Sequence, residues 1–492
     1  MRQQLYMGVA ELGQRTGKTV LGSITDSVTR ALEGVQTRTE ELFFEPVIRL
    51  GVTGLSRSGK TIFITSLVAN LLAWGRMPQL RAAADGRLLL SFLQPQPNDA
   101  VARFAYEDHM AALGGPEPRW PQSTRSISQL RLSLKVRPTG FLTGFTGPRT
   151  VHLDIVDYPG EWLLDLPLMS QSFEDWSDAA LTLARSTGRA GAAGPFLETL
   201  AGVDPGVPLD EPVAQRITQQ FTAYLGAARE AGFSACAPGR FLMPGDLEGS
   251  PALTFTPLPP SSKPGSASLY AAFARRFEAY KRIVVKPFFQ DHFARIDRQI
   301  VLVDALGAIN AGPRAVEDLR AAMADILRAF RPGTNTWLSP LLGRRVEKIA
   351  FAATKADHLH HVQHPALTAI MEALLHDARS RAAYKGATTQ SFSIAALRAT
   401  TEETLHHDGQ DLDVVRGILT ETGREAALYP GALPEDPAHL LSPARQGAAG
   451  WLDADYAVMG FAPPMLTLQP GMGPPHIRMD RVLEFLIGDR LL

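Results

Sequence analysis

Short apolar runs alternate with helical stripes along most of this chain, and that alternation predicts its elements. Residues 47–53 read as a buried strand; a glycine-rich turn follows, then a helix through Ile62, Phe63, Leu67, Leu71 and Leu72. Over 128–136, Leu130, Leu132, Leu134 and Val136 alternate with Gln129, Arg131, Ser133 and Lys135, the pattern of a half-exposed strand. A glycine-rich connection, 140–147, leads to a second apolar run at 151–156, so the two predict an antiparallel hairpin. Strand-like runs return at 299–303, 348–353 and 392–396, with helical stretches at about 314–330 and 365–383 between them. Strands alternating with helices predict an α/β domain with a mainly parallel sheet.

The remaining segments have a different texture. Val20, Ile24, Val28 and Leu32 form one stripe, predicting an N-terminal helical arm packed on the main domain, with reversible membrane or partner contact as the sharper alternative. Val213, Ile217, Phe221 and Tyr224 form a second stripe, and Phe273, Phe277 and Tyr280 a third, with a proline- and glycine-rich loop at 238–265 between them. Residues 425–476 are proline-rich, and Leu483, Leu486 and Ile487 give a closing helix its apolar face. No internal repeat is visible.

Composition narrows the picture only a little. With 49 Lys plus Arg against 50 Asp plus Glu, no global charge draws in nucleic acid or anionic lipid, and no nucleic-acid partner is expected. The single cysteine, Cys236, makes neither an internal disulfide nor a cysteine zinc site. The absence of an apolar run near the ~20 residues of a membrane span, and of a secretory leader, predicts a cytoplasmic protein.

The turn after the first strand carries the sharpest chemistry. Gly54-Leu55-Ser56-Arg57-Ser58-Gly59-Lys60-Thr61 fits G-x-x-x-x-G-K-S/T at every fixed position, between a strand and a helix. Backbone N–H groups from Ser56 to Thr61 and the helix N-terminus suit phosphates. Lys60 suits the β- and γ-phosphates, and the Thr61 hydroxyl suits Mg²⁺. An upstream near-match, Gly13 to Thr19, has three residues between its glycines and no preceding strand; it reads as a capped helix start.

Further motifs follow in order. The 151–156 strand runs into Asp157-Tyr158-Pro159-Gly160, where a strand-tip carboxylate opposite a P-loop holds Mg²⁺, usually through water, and the Gly160 N–H faces a γ-phosphate. Glu161 stands where many GTPases carry a glutamine; it serves either to orient water or as a structural switch residue, and its charge predicts a low rate. Before the 128–136 strand, Thr124 is the candidate second Mg²⁺ hydroxyl and catalytic-loop residue, with Ser123 the near alternative. Arg57 and Arg125 are the candidates for an internal arginine finger. Thr354-Lys355-Ala356-Asp357 is the T-K-x-D form of a guanine-reading motif: the Asp357 carboxylate accepts the N1 and N2 donors of guanine, and the Lys355 stem covers the base face. One strand later, Ala395 or Ala396 offers a backbone N–H to the guanine O6. Asp304 is either a helix-capping acid or a strand-tip site residue. His358, His360, His361 and His364 invite a metal reading, but no suitable acidic or cysteine partner is evident and the segment opens a helix, so they are expected to be a polar helix start.

The motif order resembles the Ras-like GTPase domain. Residues 50–63, 157–162, 297–304, 354–357 and 485–489 together resemble the YcjX-like family of bacterial P-loop proteins. The resemblance implies a Ras-like P-loop NTPase core, α/β with a mostly parallel sheet, plus helical insertions and the N-terminal arm. It implies a stress-associated GTP-binding protein with Mg²⁺, and GTP or GDP as ligand. The family is often encoded beside an integral inner-membrane protein, which implies a membrane partner and a peripheral inner-membrane location. The expected organisation is an arm over 1–45, GTPase domain over 46–185 and 291–405, a mainly helical insertion over 186–290, a Pro-rich insertion over 406–476, and a helix over 477–492 returning to the core. A nucleotide-dependent GTPase switch is the leading reading. A GTP-binding scaffold with little or no hydrolysis is the alternative, with an ATPase or small-molecule kinase third.

Overall fold

The computed structural model describes residues 45–54, 57–122, 126–139, 147–260, 265–329, 346–376, 387–452 and 456–492. The expected N-terminal arm, Ser56, Ser123, Thr124, Arg125 and most of the glycine-rich connection lie outside them.

Five parallel strands make up most of one sheet: β1 (Val47–Gly54), β5 (Arg149–Asp157), β6 (Arg298–Val303), β7 (Lys348–Ala353) and β8 (Thr388–Ser393). Four are the expected apolar runs. The fifth, β8, shares only Phe392 and Ser393 with the expected 392–396, because it is an edge strand whose exposed first half is polar. The alternating run is β4 (Ser128–Val136), which pairs antiparallel with β5 as the hairpin pattern predicts. Two strands went unread in the sequence: β2 (Leu88–Gln94) on the outer edge of β4, and the short β3 (Ala102–Arg103). The order is β2-β4-β5-β1-β6-β7-β8, with β3 also on β4.

The strand pleat sends alternate side chains to two cores. Ile300 and Leu302 of β6, with Ala350 and Ala352 of β7, face a core shared with the helices Lys60–Leu72 and Met479–Ile487. Val301, Val303, Ile349, Phe351 and Ala353 face the other core, shared with the helices of the 173–291 and 305–329 stretches. The closing helix buries Met479, Val482, Leu483, Leu486 and Ile487 completely, each worth about 1.5–3 kcal/mol of apolar burial as an upper estimate. On the opposite face, Glu211–Glu230 and Leu269–Tyr280 hold the predicted stripes. Their Phe221 and Phe277 rings meet Trp176, stacked on Phe277 at 5.1 Å between centroids.

The proline-rich reading of 406–476 needs correction. Strands β9 (Thr401–His407), β10 (Gln410–Ile418) and β11 (Glu425–Leu428) form a second, antiparallel sheet, and Ala438–Arg445 is helical. The expected boundary at 405/406 falls inside β9. A signal was present: Asp408 (φ 49°) and Gly409 (φ 79°) form the two-residue turn with both φ positive that Asp-Gly favours. It was masked because β9 is mostly polar and exposed, leaving little apolar alternation to read.

Candidate functional site

All five parallel strands end on one edge of the sheet, where α/β folds place their ligands. The P-loop leaves β1 there and enters the helix Lys60–Leu72. Gly54 packs so tightly that a Cβ would lie 2.2 Å from Ser58 Oγ and 2.9 Å from the Leu302 carbonyl oxygen. Gly59 caps the helix in the left-handed region, at φ 76°. The helix has no acidic residue in its first turn, so none of its own side chains offsets its positive end. Ser58 Oγ is buried without a hydrogen-bond partner, a donor waiting inside a glycine-walled cradle.

Lys60 and Asp157 are brought together across β1 and β5, whose register sets Val52 beside Asp157. Lys60 Nζ lies 3.1 Å from Asp157 Oδ1 and donates to the Tyr158 carbonyl at 2.5 Å. Asp157 is almost fully buried. Thr61 Oγ1 lies 3.5 Å from the Gln122 carbonyl, so the chain leading to Thr124 passes over the helix N-terminus. Hydroxyl and carboxylate oxygens of this kind form the donor set that Mg²⁺ takes. Together with the orphaned Ser58 hydroxyl and the glycine cradle, they fit a magnesium-bound phosphate.

Gly160 opens a 3-10 helix to Ser170, so Glu161 is buried and turned toward the helical mass. Its Oε1 lies 3.7 Å from Arg229 Nη1, on the helix Glu211–Glu230. The two, with Arg57, Ser234, Cys236 and Asp304, line a small cavity of about 110 Å³. Burial pushes the Cys236 thiol up to about 11, which leaves it inert as a nucleophile. Asp165, farther along the same 3-10 helix, accepts from Tyr280 Oη at 2.6 Å and the Gly239 N–H at 2.7 Å. Burial nonetheless raises its carboxyl to about 6, because desolvation outweighs these hydrogen bonds. Asp304 caps the helix Ala305–Ala311 by accepting from the Gly307 N–H at 2.9 Å, as its capping reading predicts, and also binds Lys355 Nζ at 2.5 Å.

At the other end, Thr354, Lys355 and Asp357 line a cavity of about 280 Å³ with Arg57, Ser58 and Gly59. Lys355 takes a left-handed turn (φ 60°) that swings the motif off β7. Thr354 is held by the Val303 carbonyl, its N–H at 2.9 Å. Asp357 is 4% exposed, and its Oδ2 accepts the Ala399 N–H at 2.8 Å. Of the two alanines proposed for O6, Ala395 donates its N–H to Ile477 O at 3.2 Å, which leaves Ala396 on the cavity wall with its N–H uncommitted to that bridge.

The sequence reading missed half of this cavity's wall. Trp120, His358, Thr420, Gly460 and Phe461 also line it. Trp120 Nε1 donates to the Phe461 carbonyl at 2.8 Å, and the His358 ring stands edge-on to Phe461 at 5.0 Å. Thr420 and Gly460 are joined by a backbone hydrogen bond that extends the β10–β11 end of the second sheet. Only Trp120, an aromatic in a loop, carried a local signal.

A model of the YcjX-like family, DUF463, matches residues 48–491. The chain belongs to that family. It is 38% identical over 456 residues to the Ras-like GTPase YcjX of Escherichia coli (strain K12), covering 90% of this chain and 96% of the relative. It is 35% identical over 471 residues to the Ras-like GTPase YcjX of Shewanella oneidensis, covering 90% and 94%. The mostly parallel sheet with its P-loop at the strand ends is accordingly a Ras-like P-loop α/β fold.

Proposed function

We propose that this chain is a Mg²⁺-dependent GTPase with a low intrinsic rate, acting as a nucleotide-dependent switch. The observation that carries this reading is Asp357. Its buried carboxylate borders a cavity continuous with the P-loop residues Ser58 and Gly59, one oxygen already held by the Ala399 N–H. A carboxylate so held accepts two N–H donors from a guanine edge, whereas adenine leaves it unpaired, at about 1–3 kcal/mol. Both relatives are named as Ras-like GTPases, which points the same way.

In this reading the loop from Ser56 to Thr61 holds the phosphates and Lys60 contacts the β- and γ-phosphates. Thr61, Asp157 and Thr124 would hold Mg²⁺, which supplies charge neutralisation on the β- and γ-oxygens when bound. The Gly160 N–H faces the γ-phosphate. Thr354 and Lys355 frame the base, Asp357 reads its donor edge, and Ala396 or Ala395 serves O6. Glu161 orients water or transmits the bound state to the helices over 186–290 through Arg229. A GTP-binding scaffold with little hydrolysis is the second reading, favoured by the turning of Glu161 toward Arg229 at 3.7 Å. An ATPase is disfavoured by Asp357.

Cytoplasmic location, a stress role and an inner-membrane protein partner follow from sequence and family resemblance. Among the described residues no helix is long and apolar enough to cross a membrane. The deciding experiment is turnover and affinity of the purified protein with GTP and ATP, with and without Mg²⁺. The expected result is Mg²⁺-dependent release of phosphate from GTP and at least about tenfold tighter binding of GTP, the scale of one polar contact. Equal affinity for ATP refutes the base reading, and tight GTP binding without turnover selects the scaffold.

A further inference from the structure

Four histidines crowd positions 358–364, and the fold sends them to different tasks. His358 packs against Phe461 at the base end. His364 is buried, with Nε2 at 2.7 Å from the Ala356 carbonyl and Nδ1 accepting from Arg478. The remaining two, His360 and His361, turn the other way. Their rings lie 4.4 Å apart and face Glu402 on β9.

We propose that His360, His361 and Glu402 form a binding site for a divalent transition-metal ion of the zinc class. Among the described residues they bring one ligand atom each within 4.8 Å of one another. His361 Nδ1 is 2.7 Å from Glu402 Oε2, and His360 Nε2 is 3.9 Å from the same oxygen. Zinc bonds of about 2.0–2.2 Å in a tetrahedral site set ligand atoms roughly 3.3 Å apart. To seat the ion, the His361–Glu402 pair therefore opens by about 0.6 Å and the wider pairs close by about 1.5 Å at most.

The surroundings support a ligand set rather than a surface ion pair. His360 is more than nine-tenths buried, yet its Nδ1 has no hydrogen-bond partner. That nitrogen lies 3.8 Å from Asp413 Oδ2, and Thr404 Oγ1 donates to the other Asp413 oxygen at 2.9 Å. Binding a metal through Nε2 makes Nδ1 the protonated nitrogen, aimed at a carboxylate, which is the usual support behind a metal-bound histidine. Arg398 Nη2 stands 3.1 Å from Glu402 Oε1, which fixes that oxygen and presents Oε2 to the ion. The β9–β10 register explains the meeting: Thr404 is paired with Asp413, and Glu402 lies two residues earlier on the same face. Two imidazoles and a carboxylate suit Zn²⁺ and its neighbours, not Mg²⁺, which prefers oxygen ligands alone. His361 is 63% exposed, which leaves solvent the fourth position.

Its placement gives the ion a consequence. Glu402 follows closely on Ala399 and Thr400, which donate to the Asp357 carboxylate and the Asp357 carbonyl respectively. A metal here clasps the Asp357 turn to β9 and stiffens that wall of the larger cavity. The site itself does not depend on which nucleotide the cavity takes.

The test titrates the full-length, chelator-treated chain with Co²⁺, a visible reporter for zinc sites, and then with Zn²⁺ in competition, both in excess Mg²⁺. We expect one Co²⁺ per chain with tetrahedral-type absorption, displaced by one Zn²⁺ and untouched by Mg²⁺. His361→Ala and Glu402→Gln should each weaken binding at least about 100-fold and Asp413→Asn about 10-fold. His406→Ala, an exposed histidine on the same strand paired to Asp411 at 2.9 Å, should change nothing. Absence of the absorption band in the wild-type chain overturns the proposal without recourse to any variant. So does binding that Glu402→Gln leaves intact, or that His406→Ala weakens equally.

Discussion

At the end of the cleft that the proposed function gives to the phosphates, the candidate groups come from two short stretches, 54–61 and 157–161, and most of them are backbone. Tight glycines, a helix N-terminus and a single lysine make a cradle whose shape follows from local conformation. At the base end, the wall is assembled from five separated places: Trp120, the Thr354–His358 turn, Ala395–Ala399, Thr420, and Gly460–Phe461. There side chains such as Asp357, Trp120 and Phe461 join backbone groups, and each depends on a different part of the fold. The contrast suggests that the phosphate end sets whether a nucleotide binds, and that the base end sets which one.

The strongest way to break this division is Lys60→Ala. Losing its charge-assisted contacts should weaken GTP and ATP alike by about 100-fold or more, roughly 3 kcal/mol, with the circular dichroism spectrum retained. Calorimetric titration measures it; a selective loss of GTP would contradict the division. Asp357→Asn should act oppositely, on identity alone. The acceptor becomes a mixed donor and acceptor, so GTP affinity should fall about tenfold or more while XTP affinity rises, because xanthine offers a carbonyl where guanine offers an amine. Competition of GTP, ATP and XTP against a fluorescent nucleotide reads the swap.

Trp120→Ala sharpens the comparison from the side the sequence hid. A lost aromatic face should weaken GTP and ATP equally, by about tenfold, because stacking tolerates any base. A change in the GTP-to-ATP ratio would mean that Trp120 reads the base instead.

The smallest effect concerns the support behind the phosphate end. Asp165 is an acid whose folded value, about 6, lies above its ordinary 3.8, because burial disfavours its charge. Its contribution to stability is therefore fully present below the ordinary value and is lost as pH rises through about 6. Asp165→Asn keeps the shape without the charge. Its melting temperature relative to the parent should climb by a few degrees between about pH 4 and pH 7, with GTP affinity changed less than about threefold. A constant gap across that range would refute the assignment.

Local chemistry made much of this molecule legible. The P-loop can be read because Gly54, Gly59 and Lys60 act within one turn, where spacing in sequence is spacing in space. The apolar runs of β1, β6 and β7 can be read because strands buried on both faces must be apolar throughout. β9 could not be read that way, since its stability rests on pairing with β10 rather than on its own pattern.

By itself, then, the sequence determined the sheet's buried strands, the P-loop, the carboxylate at the tip of β5 and the turn bearing Asp357. Each is a local conformation dictated by glycine, by apolar periodicity or by a strand's end. Only the tertiary structure decided that Glu161 meets Arg229, that Trp120 donates to the Phe461 carbonyl, and that His360 and His361 face Glu402. Those partners lie from 41 to 341 residues apart. Nothing in a residue's neighbourhood along the chain encodes such a meeting; it arises when sheet order and strand register bring distant loops to one edge.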